Sequence, residues 1–211
     1  MTRVVLFDVD NTLFDTEQFR SALTAAIVDT VGPAGAAAFW RAYEEVRADV
    51  GAADLQAALS RLAEELPSAE SAVTAAIATI RFEDYVLPGA AAALAAAAAI
   101  GLPVIVSDGD PVFQRLKIER SGLAAAVGGR VRIYRQKEAH IAEVVAAFPA
   151  SRYWMVDDKR HILSAYKREV GPRLLTIHVA YGRHAQTAPR PEEIAPDFTV
   201  PSIRDVAALL A

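Results

Sequence analysis

Five apolar runs rich in β-branched residues punctuate the chain, at 3–7, 103–106, 130–134, 153–156 and 173–179. Each is short and bounded by turn residues, and most end in acidic or hydroxyl side chains. Runs of this kind suit strands covered on both faces, as in a parallel sheet. Helical patterns follow the later runs, at 111–121, 137–147 and 162–170, and a short strand at 197–200 precedes a last helix from 201. This alternation predicts an α/β fold, a doubly wound, Rossmann-like parallel sheet whose ligands lie at the carboxyl ends of the strands.

Between residues 14 and 85 the pattern changes. No strand is visible there, and Ala, Leu and Glu recur with helical spacing. Ala36, Trp40, Tyr43 and Arg47 share one helical face, as do Leu55, Leu59 and Leu62. The segment reads as an all-helical insertion, 14–85, splitting a core formed by 1–13 and 86–211. Pro88-Gly89 marks the return to the core, and the Ala-rich stretch 89–100 is a strong helix former closed by Gly101. Residues 187–196 are Pro-rich and loop-like.

Composition narrows the function. A chain of 211 residues can bury one good core with a smaller accessory unit. A net charge of −4 and a pI near 5.6 disfavour a nucleic-acid partner, because phosphate-backbone affinity needs clustered Lys and Arg. A small phosphorylated metabolite stays open, since a pocket can be locally positive. The absence of cysteine excludes disulfides, thiolate catalysis and thiolate metal sites. The apolar run 4–7 meets Asp8 at once, too early for a signal-peptide core. The apolar stretch 90–100 falls short of the roughly 20 residues that cross a bilayer. No membrane association and a cytoplasmic location are therefore expected.

The sharpest feature is FDVDNTLFD at 7–15. Asp8 and Asp10 stand two apart at the end of a buried strand, where both side chains could face one cation. Taken alone, the pattern equally describes a capped turn. Three further segments bear on the choice. The second strand runs into Ser107-Asp108-Gly109-Asp110, a hydroxyl and successive backbone N–H groups ahead of a helix, which is a natural anion site. Lys137 follows the third strand, and Asp157-Asp158 end the fourth. Acidic clusters for a cation, and a Lys and a Ser for an anion, on one sheet edge form an inventory for phosphoryl transfer.

The order Asp-x-Asp-x-Thr, Ser, Lys, Asp-Asp resembles the four motifs of the haloacid dehalogenase-like hydrolase superfamily over essentially the whole chain. The helical insertion directly after the first motif resembles that superfamily's type-one cap. The resemblance implies a phosphatase in which Asp8 is the nucleophile and forms an aspartyl-phosphate. Asp10 protonates the leaving oxygen and then deprotonates water, and Thr12 steadies the loop carrying it. Ser107 and the N–H groups of Asp108 and Gly109 hold the phosphoryl oxygens, with Lys137 balancing charge. It further implies Mg2+ held by Asp8, the Asp10 carbonyl, Asp157 and Asp158, with Asp157 the firmer ligand. The dehalogenase branch lacks an acid at the position of Asp10 and needs no metal. A position where many members carry a second acid is His161 here.

The physics of such a site is consistent with that reading. A carboxylate attacking a phosphate dianion meets repulsion, and a cation about 4 Å away offsets about 4 kcal/mol at an effective dielectric near 20. The expected activity is Mg-dependent hydrolysis of a small phosphomonoester. A phosphomutase or phosphotransferase using the same intermediate, and a non-catalytic phosphometabolite-binding protein, are the alternatives; metal-free chloride release would mark a dehalogenase. His140, His161, His178 and His184 share no ligand spacing and suit surface or packing roles, with His161 nearest the site. Phe39, Trp40 and Tyr43 suit the insert's own core, Arg20, Arg41 and Arg47 solvated faces, and Phe14-Asp15 a hinge.

Overall fold

The computed structural model describes residues 2–50 and 54–211. Six strands, β1 (Arg3–Phe7), β2 (Leu102–Asp108), β3 (Val131–Tyr134), β4 (Arg152–Asp157), β5 (Leu174–Val179) and β6 (Phe198–Val200), form one sheet. Their order is β3-β2-β1-β4-β5-β6, and every pairing is parallel. The chain steps outward on one side from β1 to β3, then returns to lay β4 to β6 on the other. The switch between β1 and β4 opens a crevice at their carboxyl ends, where such sheets bind ligands.

Strand alternation divides the core into two layers. Val5 and Phe7 of β1 point with Ile105 and Val156 toward α4 (Ala90–Ile100) and α9 (Val206–Leu210). Val4 and Leu6 point with Val104, Val106 and Met155 toward α7 (Ile141–Ala147) and α8 (Arg160–Val170). The alanines of α4 let it lie close to the sheet. Where it ends, a side chain on Gly101 would come within 2.3 Å of the Arg3 carbonyl oxygen, so a residue without a Cβ is needed for the approach. The expected helix 137–147 opens as a 3₁₀ turn at Lys137–His140, because the Lys137 N–H is held by Asp108 Oδ1 at 2.7 Å. The last helix likewise starts later than expected, at Val206, after a 3₁₀ turn at Ile203–Asp205.

Among the described residues, three α-helices lie between β1 and α4: α1 (Thr16–Val50), α2 (Leu55–Glu65) and α3 (Ala69–Thr79). Asp15 Oδ1 accepts the Gln18 N–H (2.9 Å) and caps the start of α1. Gly32 breaks α1, with φ 75° and ψ 170°, and Pro33 restarts it. By length and composition the Thr16–Asp49 span, with an 18-residue window of mean hydropathy 1.4, is apolar enough to cross a membrane. It differs in this from the shorter 90–100 stretch singled out in the sequence. Within the fold its apolar side packs Phe39, Ala42 and Val46 inward, and α1 lies against α2 and α3. In the connection from β2 to β3 run α5 (Pro111–Arg120) and α6 (Leu123–Ala126).

Candidate active site

β1 ends at Phe7, and the next seven residues fold back tightly. The Val9 carbonyl accepts the N–H groups of Thr12 (3.2 Å), Leu13 (2.9 Å) and Phe14 (2.9 Å). Asn11 takes a left-handed conformation, φ 58°, that Asn tolerates better than most residues. This fold-back fixes Asp8 and Asp10 at the mouth of the crevice. The Thr12 hydroxyl, expected to steady the loop, is buried without a hydrogen-bond partner among the described residues. The hydroxyl that engages Asp10 is that of Thr16, which donates to its Oδ1 at 2.6 Å.

Four of the expected residues converge in a buried knot. Lys137 Nζ, fully enclosed, donates to Asp8 Oδ1 and to the Val106 carbonyl (3.3 Å), and lies 2.6 Å from Asp157 Oδ2. Asp8, Asp157 and Asp158 each present an oxygen, all within 4.8 Å of one another. Asp8 Oδ2 and both Asp158 oxygens are buried without partners among the described residues. Asp157 is the more engaged acid, since its Oδ1 also accepts the Lys159 N–H at 2.8 Å. Asp158 also joins the cluster, because the chain turns just past the strand end and brings it round. His178 Nε2 lies 3.0 Å from the Asp158 carbonyl oxygen, a support for this turn.

Three carboxylates and one lysine leave an excess of negative charge. Burial lifts the Asp158 carboxyl, helped by the charges of Asp157 and Asp8, up to about 9. Burial also lifts Asp8; Lys137 opposes and Asp157 reinforces it, and it stands at about 7. Lys137 is pushed the other way: burial disfavours its charge, yet Asp157 and Asp8 outweigh that and hold it well above the usual lysine range. Unpartnered buried carboxylate oxygens with raised pKa values suit a hard divalent cation, which takes oxygen ligands and removes the repulsion.

Asp10 points away from this cluster, and its neighbours were not legible in the sequence. Lys117 Nζ donates to its Oδ1 at 2.6 Å and Gln114 Nε2 to its Oδ2 at 3.0 Å, both from α5. Burial would raise the Asp10 carboxyl, but the Lys117 ammonium and the Thr16 hydroxyl outweigh it and bring it down to about 2. Lys117 is itself buried, its ammonium 5.5 Å from the Phe14 ring centroid. The signal available was spacing: Gln114 and Lys117, three apart on a helix that starts at the expected anion loop, share a face.

Ser107 is fully buried, its hydroxyl accepting from Gln114 Nε2 at 2.7 Å and donating to the Asp108 carbonyl at 3.4 Å. The Gly109 N–H, expected to face phosphate, donates instead to the Tyr134 carbonyl at 2.9 Å. β3 runs beside β2 to that point and claims the donor. Asp108 binds the Lys137 N–H through Oδ1 and Lys159 Nζ (3.3 Å) through Oδ2. Lys159 is a second cation near Asp8 that the motifs did not reveal; burial works against its charge, but Asp8 leads the carboxylates that raise it.

Above these groups, between the helical insert and the core, lies a cavity of about 350 Å³. Asp10, Lys117, Asp158 and Lys159 line its floor, and Trp40 and Tyr43 line the insert side. Phe39 is buried as expected for core, but Trp40 and Tyr43 are only half-buried because their face of α1 looks into the cavity. His161 and His184 stand at the rim.

The family pattern described as haloacid dehalogenase-like hydrolase matches residues 2–167. No curated protein matches the chain. Among solved structures, a protein of Burkholderia xenovorans LB400 described as haloacid dehalogenase-like hydrolase is 37% identical, with TM-score 0.88, covering 99% of this chain and 96% of that one. An L-2-haloacid dehalogenase of Xanthobacter autotrophicus is 19% identical (TM-score 0.62, 100% and 98% covered). YfnB of Bacillus subtilis, solved with bound magnesium, is 14% identical (TM-score 0.65, 99% and 98% covered). The last two are likenesses of fold. With its motifs gathered at the carboxyl edge of a 3-2-1-4-5-6 sheet and four-fifths of its length matched, the chain belongs to the haloacid dehalogenase-like hydrolases.

Proposed function

We propose that the protein is a Mg2+-dependent phosphomonoester hydrolase working through an aspartyl-phosphate on Asp8. The observation that carries this reading is the pair of unpartnered, buried Asp158 oxygens beside Asp8 and Asp157. A metal-free attack on a carbon–halogen bond gives no reason to bury a third carboxylate there. Asp10, where the dehalogenase branch lacks an acid, points the same way.

In this reading Asp8 Oδ2 attacks phosphorus and the bond from phosphorus to the leaving oxygen breaks. Water then attacks the phosphorus of the acyl phosphate, Asp10 takes its proton, and phosphate leaves as Asp8 is regenerated. Lys137 holds Asp8 in line and offsets its charge, and Lys159 adds a second cation near it. Magnesium, when bound by Asp8, Asp157 and Asp158, supplies charge neutralisation for the acids and the phosphoryl oxygens. Lys117, Gln114 and Thr16 hold Asp10 as a carboxylate, fit for the water step. To serve as acid in the first step it must gain a proton against the Lys117 ion pair, so aryl phosphates, whose leaving groups need little protonation, are the probes of choice. The segment 14–85 acts as the cap that shields the intermediate from bulk water.

The test is phosphate release from an aryl phosphate with Mg2+, by wild type and Asp8→Asn. Loss of turnover in a folded Asp8→Asn protein is expected; turnover that survives it removes the nucleophile assignment. Chloride release from a 2-haloacid, without metal, would instead support the dehalogenase reading.

A further inference from the structure

The cavity is chemically two-sided. Its floor carries Asp10, Lys117, Asp158 and Lys159, while its insert wall is aromatic and bears arginines. Trp40 is locked in place. Its Nε1–H donates to Thr24 Oγ1 (2.9 Å), Phe39 and Tyr43 meet it edge-on at 5.0 and 5.5 Å, and the Arg20 guanidinium lies 4.1 Å from its centroid. A ring held this way offers contact area at little entropic cost. Tyr43 stands beside it in the same lining, its phenol kept protonated by burial and by the charge of Asp10. Phe113 and Leu55 complete an apolar slot.

The cations around this slot differ in how fully they are engaged. Lys117 answers Asp10, Lys159 answers Asp108, and Arg135 lies 3.5 Å from Asp54. Arg20 and Arg47, both lining the cavity, share one acid, Glu44, at 3.1 and 3.5 Å. Glu17, which also lines the cavity, is engaged by the Arg183 backbone N–H at 2.6 Å, and most N–H donors of Arg20 and Arg47 are left unengaged by Glu44. Arg183, on the core rim, donates to His184 Nε2 at 3.3 Å. A phosphate ester with a small polar alcohol would use none of the aromatic wall and neither arginine.

We propose that the substrate is the phosphate ester of a flat, apolar alcohol bearing a carboxylate, its ring against Trp40 and Tyr43 and its carboxylate on Arg20 and Arg47. This rests on the phosphoryl-transfer reading for the floor of the site but not for its wall. A cavity of about 350 Å³ is at the small end of the range for ligand pockets, so a single ring with its two anionic ends is the size that fits. Both arginines are about half exposed, so the discrimination is modest and weakens with salt.

The experiment compares phenyl phosphate, para-carboxyphenyl phosphate and glycerol phosphate as substrates with Mg2+. Phenylphosphonate and para-carboxyphenylphosphonate serve as non-hydrolysed ligands in calorimetry. KM and phosphonate binding are the readouts, because a carboxylate on the ring also improves the leaving group. The carboxylated ring is expected to bind about tenfold better than the plain one, and both better than glycerol phosphate. That advantage is expected to shrink toward parity in the Arg20→Gln/Arg47→Gln double variant and to survive in Arg183→Gln. Turnover with equal KM for the two aryl esters, or a preference abolished by Arg183→Gln alone, overturns the inference and leaves the phosphatase reading intact. Carboxylate-selective phosphonate binding that needs Arg20 and Arg47, with no phosphate released from any ester, supports the seating of ring and carboxylate on the wall and defeats the phosphatase reading.

Discussion

Asp8 and Asp158 hold carboxyl groups lifted to about 7 and about 9 by burial and by the charge of Asp157, with Asp8 adding to the lift on Asp158. A carboxyl whose folded pKa exceeds its unfolded value near 3.8 binds its proton more tightly in the native state. The stability this confers is present below the unfolded pKa and is lost as pH rises through the folded one. Metal-free protein is therefore expected to lose melting temperature from about pH 4 toward pH 9. Added Mg2+ should restore most at the alkaline end, where the carboxylates are ionised and able to ligate. Differential scanning calorimetry with and without chelator checks this; a metal-free melting temperature flat across that window would mean these acids are not strained by burial. At the same scale, Lys117→Met removes the ammonium that fixes Asp10. A loss of about 10²-fold in kcat with little change in KM is expected, within the range for a general base put out of place. Steady-state kinetics on an aryl phosphate decides it, and a KM effect alone would make Lys117 a binding residue instead.

Helix α4 shows how an element is seated by one missing atom. Its low-complexity alanine run has no polar stripe to orient it, and its close approach to β1 at Gly101 fixes where it ends. A Cβ there would stand 2.3 Å from the Arg3 carbonyl oxygen and 2.8 Å from its carbon, both rigid backbone. Gly101→Ala should cost about 1–3 kcal/mol in urea unfolding, the usual penalty for overpacking. An unchanged midpoint would show that the α4–β1 contact can open freely. Helix α1 illustrates the opposite case, a single periodic pattern cut in two at Gly32, where only a residue at ease with positive φ lets the second half turn its Trp40–Tyr43 face to the cavity.

For the whole molecule, the helical insert shares an apolar cluster with the core, Phe19 meeting Phe113 of α5 at 6.1 Å, and polar contacts at the cavity edge add to it. Asp110 Oδ2 accepts the Leu55 N–H of α2 at 2.8 Å while its Oδ1 caps α5 through Val112 N–H at 2.9 Å. Across the cavity Tyr181 donates to Asp15 Oδ2 at 2.7 Å. Asp110→Ala gives up a helix cap worth about 1 kcal/mol together with the α2 contact. Faster hydrogen exchange at the start of α2 and a KM raised several-fold are expected, since the insert wall would sit less firmly over the substrate. Exchange unchanged in α2 would show that the other contacts suffice to hold the insert.

The sequence by itself determined the parallel α/β class and the helical insertion after the first motif, and it pointed to Asp8, Lys137, Asp157 and Asp158 as charges at strand ends that must be compensated. Each follows from local pattern: apolar runs that must be buried on both faces, and charges at strand ends that must find partners. What tertiary structure alone decided was which groups meet. Lys117, Gln114 and Lys159 reach the site from helix and loop positions with no motif of their own. The Gly109 N–H is claimed by a neighbouring strand, and Trp40 and Tyr43 face a cavity rather than a core. Periodicity shows which face of a helix is apolar, but whether that face meets protein or a ligand-sized space depends on residues far along the chain.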